Sequence, residues 1–287
     1  MIKRLKTNFS VLKKHFVSYW SALSTFVCLI LTFISCDELG INGIANKILA
    51  LLGIGVLAII LSIISIYSRR SKRIFGNSNT GVSLRYGDLM QYGFPKRKQK
   101  NCIVVIPVNR CFDLSCEGNL IASTSIHGQW IKHFIDCPQK EEELHNEICH
   151  ILVSSKSSFI KVNKKDKKLG YLNRYEPGTV VELKSDKNVI FYLWAVSKLD
   201  KNLRASCNEI EYYNAVYGLL DYYDSHGQGV KMYCPITGDR FIRPVRKTND
   251  ILNYMISTFK FSKDKIHGQI EIVVYEKMKS DISILEY

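Results

Sequence analysis

The sequence predicts an α/β protein in two parts: an N-terminal hairpin of two transmembrane helices within residues 1–73, and a three-layer α/β domain over residues 74–287. Three observations carry this. Two stretches, Phe16–Ser35 and Ile48–Tyr67, hold no formally charged residue. Lysine and arginine crowd their outer flanks. Beyond them, short β-branched apolar runs alternate with segments of helical periodicity.

At 1.5 Å per residue each uncharged stretch reaches about 30 Å, the thickness of a bilayer's hydrocarbon core. The second holds thirteen Leu, Ile or Val residues. These favour insertion by at most roughly 4–8 kcal/mol. A buried core helix of that length would carry a polar stripe, and this one has none. The first stretch is too long for a cleaved signal, and a second span follows closely.

Lys3, Arg4, Lys6, Lys13 and Lys14 precede the first span, and Arg69, Arg70, Lys72 and Arg73 follow the second. The connecting loop Cys36–Lys47 sets only Lys47 against Asp37 and Glu38. The positive-inside rule then predicts a multi-pass protein with both termini cytoplasmic.

The same flanks explain the net charge of +14. Residues 1–73 carry ten basic and two acidic side chains, whereas residues 74–287 carry thirty and twenty-four. The basicity belongs mainly to the membrane boundary, which argues against a nucleic-acid partner. Gly55, Ala58, Ser62 and Ser65 form a small-residue stripe on the second span, and Ser18, Ala22, Thr25 and Thr32 line the first. Such stripes serve hairpin packing within one chain or association between chains. Nine cysteines occur without a C-x-x-C pair; Cys28 falls in the first span, and the seven from Cys102 to Cys234 are expected as reduced thiols in the cytoplasm. His145, Cys149 and His150 lack a partner to complete a tetrahedral set, so no metal is expected.

In the soluble part, Cys102–Val108 (CIVVIPV) reads as a strand covered on both faces. Ile151–Val153, Val180–Leu183, Val189–Val196, Val230–Cys234 and Ile270–Tyr275 read as further strands. Ser206–Tyr223 reads as a helix, with a Ser206/Glu209 capping box and Gly227 just past its end. Its apolar face is drawn through Ile210, Tyr213, Tyr217 and Leu220. A second helix, Asn249–Phe259, places Leu252, Met255, Ile256 and Phe259 on one face. Lys161–Lys168 reads as a solvated loop or hairpin tip.

Folds of this class bind ligands at the carboxyl ends of their strands. One candidate loop runs Asn109-Arg110-Cys111-Phe112-Asp113, continuing to Leu120–Gly128. The other runs from Pro235 to Phe241. Both offer small and hydroxyl residues whose backbone N–H groups suit phosphate. Read singly, Thr237-Gly238-Asp239 is a turn and His127 a structural histidine. No Walker A, dinucleotide-binding or nucleophile-elbow motif is present. Cys111 and His127 could be drawn as nucleophile and base, but no third residue is placed by the sequence.

Taken together, Thr80–Tyr275 resembles a macro domain, the ADP-ribose-binding α/β/α fold with a mixed sheet. Leu84-Arg85-Tyr86-Gly87-Asp88-Leu89 is similar to that family's early Gly-Asp-Ile strand end, and the resemblance assigns the adenine amino group to Asp88 with Leu89 beside it. Asn109 stands where the family has an asparagine near the distal ribose. Ser123, Thr124, Ser125, Ile126, His127 and Gly128 replace the family's triple-glycine loop. Pro235, Thr237, Gly238, Asp239 and Arg240 resemble its second phosphate loop. Asn109-Arg110-Cys111-Phe112 replaces the usual Asn-Ala-Ala-Asn. These departures argue against hydrolysis and for a pocket shaped to an altered ligand.

Two spans followed by a divergent macro domain with a Ser125–Gly128 segment resemble the membrane-bound ThsA effectors of bacterial Thoeris anti-phage defence. The resemblance implies a non-enzymatic receptor in the cell inner membrane, without cofactor or catalytic residue. Its ligand would be an ADP-ribose derivative, joined to histidine, made from NAD by a TIR-domain partner enzyme. Binding would lead the spans, in a homo-oligomer, to disrupt the membrane. The alternatives are a membrane-tethered ADP-ribosyl hydrolase or an ADP-ribose-reading scaffold.

Overall fold

A computed structural model describes residues 2–36, 38–98, 100–237, 242–243 and 247–287. The chain forms two compact units, Met1–Lys72 with Lys277–Tyr287, and Arg73–Glu276.

The first unit contains α1 (Ile2–Thr7), α2 (Phe9–Leu31) and α3 (Gly43–Ser68). Both α2 and α3 are long and apolar enough to cross a membrane. Helix α2 takes in the basic segment from Phe9 and stops short of the expected Ser35. There the Ser35 backbone N–H donates to Glu38 Oε2 at 2.7 Å, and the Glu38 N–H donates to Ser35 Oγ at 3.2 Å, closing a turn. A Cβ on Gly55 would lie 3.1 Å from the Trp20 ring. Ala58 and Ser62 on the same stripe are fully buried. The small stripe of α3 therefore serves packing against α2 within the hairpin.

The C-terminal segment completes this unit. Ser283 Oγ donates to Asn8 Oδ1 at 2.5 Å, and Thr7 Oγ1 donates to the Ser280 carbonyl at 2.6 Å. Ile282, Ile284 and Leu285 are buried.

The second unit is built on a nine-stranded mixed sheet among the described residues. Its strands are β1 (Ser71–Gly76), β2 (Gly81–Gly87), β3 (Cys102–Asn109), β6 (Val180–Lys184), β7 (Val189–Leu199), β8 (Ala205–Asn208), β9 (Lys231–Pro235), β10 (Ile242–Arg243) and β11 (Gln269–Tyr275). Strands β4 (Phe159–Lys161) and β5 (Asn173–Tyr175) pair separately. The order is β1-β2-β11-β9-β3-β7-β8-β10, with β6 also paired to β7. The five strands β2, β11, β9, β3 and β7 are parallel neighbours. Strand β6 runs antiparallel to β7.

Alternation along β7 divides the core into two layers. Phe191 and Leu193 share a cluster with Trp130 and Ile131 of α5 (Ile126–Phe134) and Leu144, Ile148 and Leu152 of α6 (Pro138–Ser154). On the other face, Trp194 Nε1 donates to the Ala215 carbonyl of α7 (Glu209–His226) at 2.7 Å. Tyr192 meets Tyr222 edge-on. Helix α8 (Thr248–Phe261) buries Leu252, Met255, Ile256 and Phe259, the face drawn from sequence. The result is the three-layer α/β/α domain expected.

Four sequence expectations are corrected. Ile151–Val153 is no strand: Leu144, Ile148 and Leu152 recur every four residues, and Pro138 starts the helix that contains all of them. The helix expected from Ser206 begins at Glu209, and its capping box is Asn208/Glu211. Ser206 pairs instead with Lys198 in the β7–β8 ladder. The buried face of α7 is Tyr212, Ala215, Val216, Leu219, Leu220 and Tyr223, whereas Ile210, Tyr213 and Tyr217 are exposed. Finally, Lys167 in the lysine-rich stretch is completely buried.

Candidate functional site

Strand register brings the candidate loops to one edge. Gly87 pairs with Tyr275, Pro235 with Val273, and Asn109 with Ser197, so β2, β11, β9, β3 and β7 finish side by side. Asp88 directly follows β2, Ile236 and Thr237 follow β9, and Asn109 ends β3. Helix α4 (Leu89–Gly93) is linked to α5 by Phe94, just past its end, whose ring lies 4.8 Å from that of His133.

Asp88 is the N-cap of α4, and its Oδ1 accepts from the Met90 N–H at 3.0 Å. Leu89 is buried beneath it. The carboxylate is half-buried at the end of its strand.

Asn109 folds the chain sharply at the end of β3. Its Oδ1 accepts from the Cys111 N–H at 2.9 Å and lies 3.5 Å from the Asp113 N–H. Phe112 takes a left-handed φ of 53°, uncommon for a bulky residue. Two ionic networks fix this turn. Arg110 donates through Nε to the Tyr175 carbonyl at 2.7 Å and through NH1 to Glu211 at 2.9 Å. Lys167 lies 3.0 Å and 2.9 Å from the two oxygens of Asp113, with both side chains fully buried. The same ammonium reaches the carbonyls of Leu169 and Tyr171. Desolvation raises the Asp113 pKa, while Lys167 and the Tyr171 N–H pull it back. Sequence reasoning placed none of these partners.

The Ser123–Gly128 loop is a tight helix entry. Ser125 Oγ accepts from the Gly128 N–H at 3.0 Å and donates to the Ala122 carbonyl at 2.7 Å. Gln129 Nε2 donates to the Thr124 carbonyl at 3.0 Å. A Cβ on Gly128 would lie 2.2 Å from the Ala122 oxygen, so the loop closes only around glycine. His127 is buried in the first turn of α5, and desolvation lowers its pKa to about 3. It is a neutral imidazole at physiological pH.

Asn109 Nδ2 and His127 Nε2 are buried without a hydrogen-bond partner among the described residues, as is Trp130 Nε1 farther along α5, where its ring packs against Phe191. Such groups are costly to leave unpaired, so Asn109 at the end of β3 and His127 at the start of α5 each favour a polar partner. Cys111 is buried with its thiol pKa raised by desolvation, the reverse of an activated nucleophile.

Pro235 ends β9, and Thr237 is buried. Gly238, Asp239 and Arg240 lie outside the described residues. Next to the Lys167–Asp113 pair, His145 stacks on Tyr171 at 3.7 Å with Cys149 Sγ 3.5 Å from its Nε2. Among the described residues no group of three His, Cys, Asp or Glu converges as for a metal.

Residues 82–275 match the family described as Thoeris protein ThsA, Macro domain. Over 265 residues the chain is 24% identical to the Thoeris protein ThsA of Bacillus amyloliquefaciens (strain Y2), an alignment covering 89% of this chain and 82% of that protein.

Proposed function

The chain belongs to the ThsA macro-domain family of Thoeris proteins, and on that premise we propose that it is a membrane-bound receptor and effector of anti-phage defence. Asp88, Leu89, Asn109, the Ser123–Gly128 loop and the Pro235–Arg240 loop bind an ADP-ribose derivative, histidine-linked in the leading form, supplied by a TIR-domain enzyme. Helices α2 and α3 cross the inner membrane with both termini in the cytoplasm. Binding shifts a homo-oligomer to a state that breaches the membrane.

The observation that carries this reading is a pair of buried nitrogens, Asn109 Nδ2 at the end of β3 and His127 Nε2 in the first turn of α5, that have no hydrogen-bond partner among the described residues. A ligand with ribose hydroxyls and a diphosphate supplies acceptors for such donors. The effector role draws on two apolar helices in the same chain. Action by binding rather than catalysis is favoured by the buried, protonated Cys111 and the neutral His127, neither poised to activate a nucleophile.

The test is calorimetry and thermal melting of the full-length protein in detergent with ADP-ribose, histidine-ADP-ribose and ATP. A hundredfold excess over Kd should stabilise the protein by about 2.7 kcal/mol for an ADP-ribose compound. No heat and no shift with either ADP-ribose compound would refute the receptor reading. Release of free ADP-ribose from an ADP-ribosylated protein substrate would instead support the hydrolase alternative.

A further inference from the structure

The first unit contains a cavity of about 420 Å³ between the basic ends of its two long helices and the C-terminal segment. Lys14 and His15 of α2, Arg69 just past α3, and Lys72 line it, with Leu285 and Glu286 as the opposite wall. Lys72 is half-buried and its ammonium is positioned by a hydrogen bond to the Leu285 carbonyl at 3.2 Å. The wall itself is fixed by the Asn8–Ser283 and Thr7–Ser280 hydrogen bonds.

Two other cations of this unit have partners: Lys3 pairs with Asp281 at 2.6 Å, and Arg4 donates to the Ile66 carbonyl at 3.0 Å. Lys14, Arg69 and Lys72 form no ion pair among the described residues, and Glu286 is the one carboxylate side chain lining the cavity. Three permanent cations, set against Glu286 and Tyr287 in the opposite wall, attract an anion. Lys14 and His15 immediately precede the uncharged stretch of α2, and Arg69 immediately follows α3. In the uncharged stretches that adjoin these basic residues along α2 and α3, apolar side chains such as Val17 and Ile64 are exposed.

We propose that this cavity binds the phosphodiester of an anionic glycerophospholipid, with Lys14, Arg69 and Lys72 holding the phosphate and the acyl chains lying along the apolar helices. Free phosphate shares the charge but lacks the chains, and the exposed apolar side chains along α2 and α3 favour the lipid. The site rests on the reading of α2 and α3 as membrane spans. It is separate from the nucleotide edge of the macro domain, and it makes the lipid surroundings a determinant of the state of the hairpin.

The test uses the full chain in nanodiscs of phosphatidylcholine with or without phosphatidylglycerol, read by native mass spectrometry of retained lipid and by thermal melting. Phosphatidylglycerol should be retained at least tenfold in preference to phosphatidylcholine, and inorganic phosphate should give no comparable thermal shift. Lys14→Gln with Arg69→Gln should abolish the preference. Lys13→Gln with Arg70→Gln, which removes the same charge beside the cavity, should preserve it. Equal loss in both double variants would reduce the effect to diffuse attraction, and an equal shift with phosphate would make the site one for free anions. Either result overturns the proposal. Complete extraction of the wild type from vesicles by alkaline carbonate would refute the membrane reading itself, and the site with it. Retention in the vesicles without lipid preference would refute the site alone.

Discussion

Lys167 and Asp113, far apart in sequence, form a fully buried ion pair beneath the turn that carries Asn109. Gly170, at φ 76°, lets the chain pass so closely that a Cβ there would lie 2.1 Å from Asp113 Oδ1. The pair closes a loop around the candidate site, and removing one partner strands the other. Lys167→Met should destabilise the protein by about 3–5 kcal/mol, and a double change to Lys167→Met with Asp113→Leu should recover much of that. Denaturant melts of the three proteins measure it.

His127 gives a pH signature. Its folded pKa lies near 3, below the ordinary value of 6.5. Between these values the unfolded chain binds the extra proton. Stability from this group is therefore complete above pH 6.5 and falls as pH drops toward 3. From pH 7 to pH 5 the loss should be about 2 kcal/mol. His127→Leu should flatten that part of the melting profile, and an unchanged pH slope would show that the imidazole is solvated.

Asp88 combines two roles that substitutions can separate. Asparagine also caps helices well, so Asp88→Asn should leave melting near wild type. It should still weaken binding of an ADP-ribose compound by about 1.5–3 kcal/mol, the worth of a hydrogen bond to a charged group. Asp88→Ala should lose the cap as well. Equal affinity of Asp88→Asn and wild type in calorimetry would exclude the adenine assignment.

Gly128→Ala tests the loop. The added methyl would meet the Ala122 carbonyl oxygen at 2.2 Å and the Ser123 Cα at 2.8 Å, both backbone atoms. The Ala122–Gly128 turn must open, at a cost of about 1–3 kcal/mol, and ligand binding should fall with it. Ser125→Ala removes only the cap, about 1 kcal/mol. A Gly128→Ala protein that binds and melts as wild type would show the loop to be pliable.

Topology is checked with reporter fusions. A fusion at Tyr287 should report from the cytoplasm and one at Gly40 from the far side of the membrane, as the flanking charges require. A C-terminal reporter active in the periplasm would reverse the orientation and remove the ligand site from a cytosolic signal.

Local sequence determined the parts whose physics is local. Phe16–Leu31 and Ile48–Tyr67 lie in long apolar helices because an uncharged run of that length satisfies its backbone only by hydrogen bonding to itself. The CIVVIPV strand and the Leu252, Met255, Ile256, Phe259 face follow from β-branching and from helical period. The motifs around Asp88, Asn109 and Pro235 placed the candidate loops at strand ends. Tertiary structure decided what depends on distant partners. Tyr213 and Tyr217 resemble core residues by composition, yet α7 turns Ala215 and Leu219 inward because Gly178 and Gly218 bring its backbone against the loop before β6. Lys167 looks solvated among lysines, but Asp113 and two carbonyls replace its water. Asn109 Nδ2 and His127 Nε2 become buried only when β3 and α5 pack, since burial is set by the whole fold and not by any short stretch of it.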